Sequence, residues 1–248
     1  MSGSEFHDSI EKTKIFIMKT ISYLSLIFLL VGANACSEKD NYSPPQAQLT
    51  GAILYNGDSI YLEYNRVPYQ FYQYGYGKLG PIEQQFTQSG GISSLLFNGD
   101  YKFIVPNGQG PFLWPKTSTG APDSLSITIN GNQSLDIEVT PYYMIRNASI
   151  SASGGNVSAT FKVEKIITDA NAKDIENVVL YINKTSFVSG PNNIAQASIA
   201  GADITDPNNI SLSVAIPSLS QNYVFARIGL KVAGVEDMIF SPLVNVSF

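Results

Sequence analysis

Cys36 is the residue of this chain whose surroundings predict a definite chemical event. Before it run an apolar stretch over residues 21–31 and four small residues at 32–35, and after it the chain turns polar. A basic residue (Lys19), a short apolar segment and small residues before a cleavage point are typical of a secretory signal. The apolar stretch is too short to span a bilayer as a helix, which takes about 20 apolar residues. We therefore expect cleavage next to Cys36.

This lone cysteine, preceded by small residues, resembles the lipobox of bacterial lipoproteins. The resemblance implies that the Cys36 thiol is diacylated and that Cys36 becomes the first residue of the mature protein. Residues 1–35 would then be the signal peptide, and Met18 is the expected initiator because residues 1–17 are acidic and fit a signal badly. Residues 36–46 lack periodicity and carry two prolines, so we expect the lipidated cysteine and a flexible tether there.

Processing at Cys36 would leave a mature chain without imidazole or free thiol, because His7 is the only histidine and Cys36 the only cysteine. Such a chain has no Ser-His-Asp or Cys-His pair, no zinc site built on His or Cys, and no disulfide. The 15 basic and 20 acidic residues give a net charge of −5, without the basic stripe that nucleic-acid binding needs. We expect no enzymatic activity, no cofactor, no metal and no nucleic-acid partner.

Paired carboxylates are the remaining catalytic possibility. Asp136 and Glu138 alternate with apolar residues at 135, 137 and 139, which places them on the solvent face of a strand. A solvated strand face offers no burial that would tune a general acid. We therefore interpret the two carboxylates as surface residues and not as a glycosidase pair.

Aromatic side chains are the candidate ligand-binding residues, since their faces stack on sugar rings and tyrosine adds a hydroxyl. Tyr74 and Tyr76 lie beside glycines past the end of a predicted strand, where a side chain can face solvent; the alternative is that they are strand tyrosines packed in the core. Trp114 and Phe112 lie in a loop rich in Gly and Pro, where binding residues concentrate. Trp114 could equally cover the open end of a sandwich or contact a partner protein.

Short alternating segments separated by turn residues begin at Gln48 and predict an all-β fold of two tandem β-sandwiches. A helical turn is expected at 169–176, where Thr168 or Asp169 could cap it. Hairpin turns are predicted at Asn56-Gly57, Asn98-Gly99, Asn130-Gly131 and Gly154-Gly155.

The joint between the two domains is predicted at 140–143, which gives a first sandwich over 47–140 and a second over 141–248. Pro141, Tyr142 and Tyr143 stand at this joint. We expect the two tyrosines to hold the domains together and not to bind a ligand.

Several segments carry a resemblance to one known family: residues 40–42, 47–51, 95–102, 139–143 and 159–163. With them the chain resembles a family of uncharacterised Bacteroidetes surface lipoproteins. In that family a transthyretin-like (carboxypeptidase-regulatory-like) β-sandwich precedes an immunoglobulin-like one. The resemblance implies the same order here, over 47–140 and 141–248.

The family is typically encoded near starch-utilisation-type transporters, which combine a TonB-dependent barrel with a surface lipoprotein that captures glycan. The resemblance implies a non-catalytic accessory protein of glycan uptake, lipid-anchored in the outer membrane. The acidic segment Ser37-Glu38-Lys39-Asp40 resembles the signal that sends such lipoproteins to the cell exterior; the alternative is that these charges only solvate the tether. The protein would bind a glycan or oligosaccharide through exposed aromatics. The alternative is a structural subunit that docks on the transporter or the capture lipoprotein and has no ligand of its own.

Two triplets, Asp58-Ser59-Ile60 and Asp123-Ser124-Leu125, resemble the Asp-Ser/Thr-apolar sequon of Bacteroidetes O-glycosylation. Both occur near predicted turns, which suits modification. Ser59 and Ser124 are therefore candidate glycosylation sites.

Overall fold

The computed structural model describes residues 43–75 and 79–248, together with Lys14 and Phe16. Among these residues no helix is long and apolar enough to cross a membrane. Residues Pro45–Phe248 form one compact unit. The following expected features lie outside the described residues: most of the signal peptide (1–35), Met18, Cys36, the tether up to residue 42, and Tyr76.

The first sandwich consists of two sheets. In one, β1 is central, antiparallel to β2 and β5 and parallel to β9 and β10. The other is antiparallel in the order β4-β3-β6-β8, and β7 pairs with β11 beside it. The strands are β1 (Ala47–Tyr55), β2 (Asp58–Ser59), β3 (Pro68–Gln73), β4 (Pro81–Gln85), β5 (Gly91–Leu96), β6 (Gly99–Ile104), β7 (Phe112–Leu113), β8 (Leu125–Ile129), β9 (Gln133–Ser134), β10 (Ile137–Glu138) and β11 (Thr140–Pro141).

An aromatic cluster fills the core of the first sandwich. Alternation along β3 buries Tyr69 and Phe71 completely. Their ring centroids lie 5.4 and 5.2 Å from that of Phe103 on β6. The Tyr69 hydroxyl lies 3.1 Å from the hydroxyl of Ser94 on the facing sheet. Aromatic pairs at these distances stabilise a core beyond the area they bury, so the cluster holds the two sheets together.

The second sandwich is antiparallel throughout. One sheet has the order β12-β13-β16, and the other has the order β15-β14-β17, with β18 and β19 both paired to β17. Its elements are β12 (Tyr143–Ser153), β13 (Asn156–Lys165), β14 (Ile175–Asn183), β15 (Ala195–Ala200), a 3₁₀ turn (Gly201–Asp203), β16 (Ile210–Ala215), β17 (Tyr223–Val232), β18 (Ile239–Phe240) and β19 (Val244–Ser247).

Burial in the second sandwich shows which face meets the first. β13 alternates buried residues with exposed or half-buried ones, as a strand with one core face does. In β14 and β17, by contrast, residues 178–182 and 226–230 are buried without interruption. A strand is buried continuously only when both of its faces are covered. The inner face packs in the second core, and the outer face, which carries Arg227, lies against the first sandwich.

Backbone and side-chain bonds join the two sandwiches. The Phe240 amide donates to the Tyr61 carbonyl (3.0 Å), and the Gly110 amide donates to Asp237 Oδ2 (2.7 Å). Arg146 pairs with Asp58 across the interface. The two domains therefore form one unit through several independent contacts.

The structure confirms the all-β fold of tandem sandwiches and two of the four predicted hairpins. Asn56-Gly57 joins β1 to β2, and Gly154-Gly155 joins β12 to β13. Both residues of each turn have positive φ (51° and 82°, 57° and 79°), as the favoured two-residue hairpin turns require.

The other two predicted hairpins are wrong. At Asn98-Gly99 the chain leaves β5 in one sheet and enters β6 in the other, and at Asn130-Gly131 it passes from β8 to β9 in the opposite direction. The two crossings are bonded to each other, since the Gly131 amide donates to Asn98 Oδ1 (2.8 Å). Turn-forming residues thus mark corners between sheets as well as hairpins.

The helical turn predicted at 169–176 is also wrong. The Asp169 carboxylate accepts a hydrogen bond from the Asn171 amide (2.8 Å), which closes a local Asx turn, and β14 begins at Ile175. Asp favours such turns as readily as helix starts, because both offer its side chain a nearby backbone N–H.

Candidate functional site

Two exposed aromatic rings meet where the sandwiches adjoin. Tyr64 lies between β2 and β3 of the first sandwich, and Phe187 lies between β14 and β15 of the second. Their ring centroids are 4.5 Å apart at an interplanar angle of 56°. Tyr64 keeps 51% and Phe187 42% of its surface exposed. Aromatic residues usually bury most of their surface, so this pair offers unusually open faces.

A tight turn displays Tyr64. Ile60 and Leu62 before it and Val67 after it are completely buried, which fixes the segment at both ends. Asn65 has a φ of 56°, a left-handed conformation that asparagine tolerates better than most residues. The chain therefore turns at 64–66 and leaves the Tyr64 ring at the surface.

Side-chain amides shape the loop that carries Phe187. Asn183 Nδ2 donates to the Phe187 carbonyl (2.6 Å), and Asn183 Oδ1 accepts from the Lys184 amide (2.8 Å). Gln221 Nε2 donates to the Lys184 carbonyl (3.2 Å). Val188, the next residue, is buried. With its backbone bonded and its neighbour buried, Phe187 points away from the second core.

The two rings line a cleft of about 680 Å³ between the sandwiches, which we call the aromatic cleft. Its volume falls within the range of small-molecule sites, roughly 300–1,000 Å³. Tyr61 and Leu243 add apolar surface, whereas Phe86 is 1% exposed and adds almost none. The wall formed by β4 and the turn after it is polar and consists of Glu83, Gln84, Gln85, Thr87, Gln88 and Ser89.

Arg227 contributes a buried cation to the aromatic cleft. It is 1% exposed, its guanidinium lies 4.0 Å from the centroid of the Phe240 ring, and Nη2 donates to the Leu62 carbonyl (3.1 Å). Burial lowers the pKa of Arg227 to about 9, although the nearby Glu63 carboxylate acts in the opposite direction. The guanidinium therefore stays charged at neutral pH.

The chemistry of the aromatic cleft suits a sugar. Open aromatic faces can stack on the apolar C–H face of a pyranose, while the amides and hydroxyls of the wall can bond its hydroxyl groups. Glu83 is the carboxylate among the lining residues, and it accepts a bond from Gln70 Nε2 (2.9 Å). Glycoside hydrolysis commonly uses two carboxylates that flank the scissile bond. The described lining supplies one of the two.

Trp114 and Phe112 line a second cleft, of about 540 Å³, together with Tyr142; we call it the Trp114 cleft. Phe112 is only 4% exposed, so it presents little more than an edge to a ligand. The half-buried Trp114 ring packs on Phe103 at a centroid distance of 5.8 Å, and its Nε1 donates to the Asp123 carbonyl (2.8 Å). Both side chains are held by the first sandwich.

Tyr74 does not line either cleft. It follows β3, it is 52% exposed, and its amide donates to the Asp100 carbonyl (3.3 Å). Tyr76 lies outside the described residues. Tyr74 therefore remains a candidate ligand-binding residue, and its exposure is the observation that supports it.

The joint residues bond to both sandwiches. The Tyr142 amide donates to the carbonyl of Pro111 in the first, and the Tyr143 hydroxyl donates to the carbonyl of Lys173 in the second (3.1 and 2.7 Å). Pro141 pairs with Phe112 in the β7–β11 ladder. Burial raises the pKa of the Tyr142 phenol.

The remaining candidate residues lie at turns. Ser59 is half-buried in β2, and Ser124 is half-buried just before β8, where its amide donates to Asp123 Oδ1 (2.7 Å). Glu138 accepts bonds from the amides of the β1–β2 turn, at 2.9 and 3.2 Å. In the described part of the chain no group of three or more His, Cys, Asp or Glu residues is placed to hold a metal.

Sequence reasoning missed Tyr64, Phe187 and Arg227. A signal existed for Phe187, an aromatic residue in a loop of Ser, Thr, Gly and Pro over 185–191. Tyr64 follows buried residues at 60 and 62 in the same alternation, so it resembles a core tyrosine until the turn is known. The contact between residues 64 and 187 forms only when the sandwiches dock.

The fold and the aromatic cleft together define a class: two tandem β-sandwiches with a ligand-sized site where they meet. Residues 47–140 match the N-terminal domain of DUF3823, a protein of unknown function, and residues 143–245 match DUF3823_C, a domain of unknown function. The chain belongs to the DUF3823 family. This confirms the resemblance to a two-domain Bacteroidetes family.

Solved structures of relatives have the same fold. A DUF3823 family protein from Parabacteroides merdae is 30% identical, with a TM-score of 0.72 over 83% of this chain and 100% of that one. One from Bacteroides ovatus is 29% identical, with a TM-score of 0.71 over 82% and 99%. A protein from Bacteroides uniformis, described as a candidate carbohydrate-binding protein, is 18% identical, with a TM-score of 0.60 over 82% and 100%. No curated protein matches the chain.

Proposed function

We propose that this protein is a non-catalytic glycan-binding lipoprotein and that the aromatic cleft holds the sugar. The observation that carries the proposal is the pair of exposed rings, Tyr64 and Phe187, 4.5 Å apart at the edge of a ligand-sized cleft. Aromatic residues with one open face and polar neighbours are typical of binding sites.

The polar wall supports a sugar over an apolar ligand. Three glutamines and two hydroxyl side chains line one side of the aromatic cleft. Thr87 and Ser89 bond each other, and Gln88 is bonded at both ends of its amide. An apolar ligand would cover the Gln84 and Gln85 amides without pairing them, at a cost in free energy, whereas sugar hydroxyls would satisfy them. The Bacteroides uniformis neighbour, described as a candidate carbohydrate-binding protein, agrees with a sugar ligand. Because a likeness at 18% identity shows only the fold, the proposal rests on the residues of the aromatic cleft.

The cellular setting is part of the same proposal. We expect acylation at Cys36, an outer-membrane location facing the exterior, and an accessory role beside a TonB-dependent transporter and its glycan-capture lipoprotein. These expectations rest on the sequence around Cys36 and on the family resemblance. Globomycin should cause the precursor to accumulate, and labelled palmitate should enter the protein. Failure of both would remove the anchor from the proposal.

Glycan binding is tested with soluble protein from residue 37 onward in native gels that contain plant, host or fungal polysaccharides. We expect retardation on at least one glycan, and we expect it to be lost in Tyr64→Ala and in Phe187→Ala. Tyr74→Ala is the matched control, because it removes the same kind of ring at the same exposure outside the cleft.

Each other outcome has a definite meaning. Loss of retardation only in Tyr74→Ala or Trp114→Ala would move the site to the residues that the sequence suggested. No retardation on any glycan would contradict the proposal, and co-purification of a barrel transporter in that case would favour the docking subunit.

A further inference from the structure

One amide of the first sandwich connects two residues of the second. Arg227 Nη1 donates to Gln88 Oε1 (3.0 Å), and Gln88 Nε2 donates to the Ser186 carbonyl (3.1 Å). Ser186 immediately precedes Phe187 in the chain. A buried cation is thus joined through a single side chain to the loop that carries half of the aromatic pair.

The charge of Arg227 determines which way the Gln88 amide points. A guanidinium only donates hydrogen bonds, so the carbonyl oxygen of Gln88 must face it. A bond from a charged donor is also stronger than one between neutral groups. The NH₂ group is therefore turned toward Ser186.

Arg227 is held in place by other contacts. It stacks on the Phe240 ring, and Nη2 is bonded to the Leu62 carbonyl of the first sandwich. At 1% exposure it has little room to change rotamer. It therefore acts as a fixed support for Gln88.

We propose that Arg227 is a positioning residue of the aromatic cleft, which through Gln88 holds Phe187 beside Tyr64. The inference rests on the proposed glycan binding and identifies what keeps the site assembled. The other side-chain bonds described above for this loop come from Asn183 and Gln221, both in the second sandwich. Among the hydrogen bonds of the described residues, the one from Gln88 Nε2 joins this loop to the sandwich that carries Tyr64, so the Phe187 loop takes its position as the domains dock.

Gln88→Glu separates this role from a merely structural one. A carboxylate at 88 accepts from Arg227 at least as well as the amide does, but it cannot donate to the Ser186 carbonyl. We expect a melting temperature no lower than that of the wild type. We also expect loss of the nuclear Overhauser contact between the Tyr64 and Phe187 rings, and glycan affinity reduced about fivefold, as the loss of one neutral hydrogen bond predicts.

Gln48→Glu is the matched control. It introduces the same charge at an exposed position of β1, away from the lining of the aromatic cleft, and should leave the ring contact and the affinity as in the wild type. Arg227→Lys should lose the ring contact too, because one ammonium does not reproduce the forked geometry of a guanidinium. Its burial makes misfolding a risk, so the Gln88 variant carries the test.

The experiment uses protein from residue 37 onward. The solved relative from Parabacteroides merdae matches this chain over its own whole length, which corresponds to 83% of the present chain. A chain of that extent therefore folds. If Gln88→Glu keeps the ring contact, or loses it without losing affinity for a glycan that the wild type binds, the positioning role is overturned. If the wild type binds no glycan, the proposed function fails, while the ring contact still decides the positioning role: Gln88→Glu tests the bond from Gln88 to Ser186, and Arg227→Lys tests the support that Arg227 gives to Gln88.

Discussion

The two clefts contain similar residues and use them differently. In the Trp114 cleft the aromatic groups belong to the structure, since Phe112 is buried and Trp114 is bonded through Nε1 and packed on Phe103. In the aromatic cleft Tyr64 and Phe187 contact each other and keep about half of their surface. The difference lies in what else holds each ring, and the residue type does not reveal it.

This comparison indicates where stability and binding should separate. A ring that the core already holds contributes mainly to the free energy of unfolding. A ring held only by another exposed ring contributes little to it and is free to contact a ligand. Substitutions in the two clefts should therefore have opposite profiles.

Phe112→Ala should have the largest effect. Truncation of a buried phenylalanine costs about 3–5 kcal/mol through lost burial and a residual cavity. The free energy of unfolding can be measured by urea titration, with Trp114, the only tryptophan, as the fluorescent reporter. A loss under about 1 kcal/mol would mean that Phe112 does not belong to the core and would weaken the contrast between the clefts.

Trp114→Ala should cost less, about 2 kcal/mol, because the ring is only partly covered and loses one hydrogen bond. Circular dichroism during urea unfolding measures it, since the tryptophan signal is gone. We expect glycan affinity within about twofold of the wild type, if the aromatic cleft is the site. A folded variant that has lost binding would contradict the contrast and assign the ligand to the Trp114 cleft.

The sequence predicted the strands better than their partners. Alternation and the positive-φ turns at 56–57 and 154–155 were sufficient for two hairpins and for the sandwich class. Asn98-Gly99 and Asn130-Gly131 have the same local chemistry, yet their strands enter different sheets. Local turn propensity fixes the bend but not the partner, which depends on packing between distant strands.

The candidate site was harder to predict for the same reason. Trp114 lies in a loop and Tyr74 past a strand end, and such a position in the sequence does not reveal whether a core holds the ring. Tyr64 and Phe187 are 123 residues apart in the sequence, and the residues joined by the bond from Arg227 to Gln88 are 139 apart. Such contacts exist only after two domains dock, so no local pattern encodes them.

Tyr64→Ala and Phe187→Ala should each lower glycan affinity about tenfold and change the free energy of unfolding by less than about 1 kcal/mol. Because the rings touch, the double variant should lose less binding free energy than the two single variants together, with a coupling energy of about 0.5–1.5 kcal/mol. Isothermal titration with the glycan that retards the wild-type protein measures the four affinities of this double-mutant cycle. Strict additivity would show that the rings bind the sugar independently, or that they are not neighbours in solution.

The smallest expected effect is a change of stability with pH, and it arises from Asp237, beside the Trp114 cleft. Asp237, which accepts the bond from Gly110 in the wall of the Trp114 cleft, has a pKa raised above its usual 3.8 by burial, partly offset by that N–H bond. Glu236 raises this pKa further, while Arg66 and Lys231 lower it. The folded state thus holds this proton more tightly than the unfolded state does, so the contribution of Asp237 to stability is greatest below pH 3.8 and declines as pH rises through the raised value.

Asp237→Asn removes this titration while its amide oxygen can still accept from Gly110. We expect the variant to gain stability relative to the wild type as pH rises from about 3.5 to 7, measured by urea unfolding at each pH. Arg227 supplies the contrast, because with a pKa of about 9 it stays protonated across this range in both folded and unfolded chains and adds no slope. A difference between wild type and Asp237→Asn that is flat with pH would show that Asp237 is solvated in the folded protein and does not cover the Gly110 segment of the Trp114 cleft.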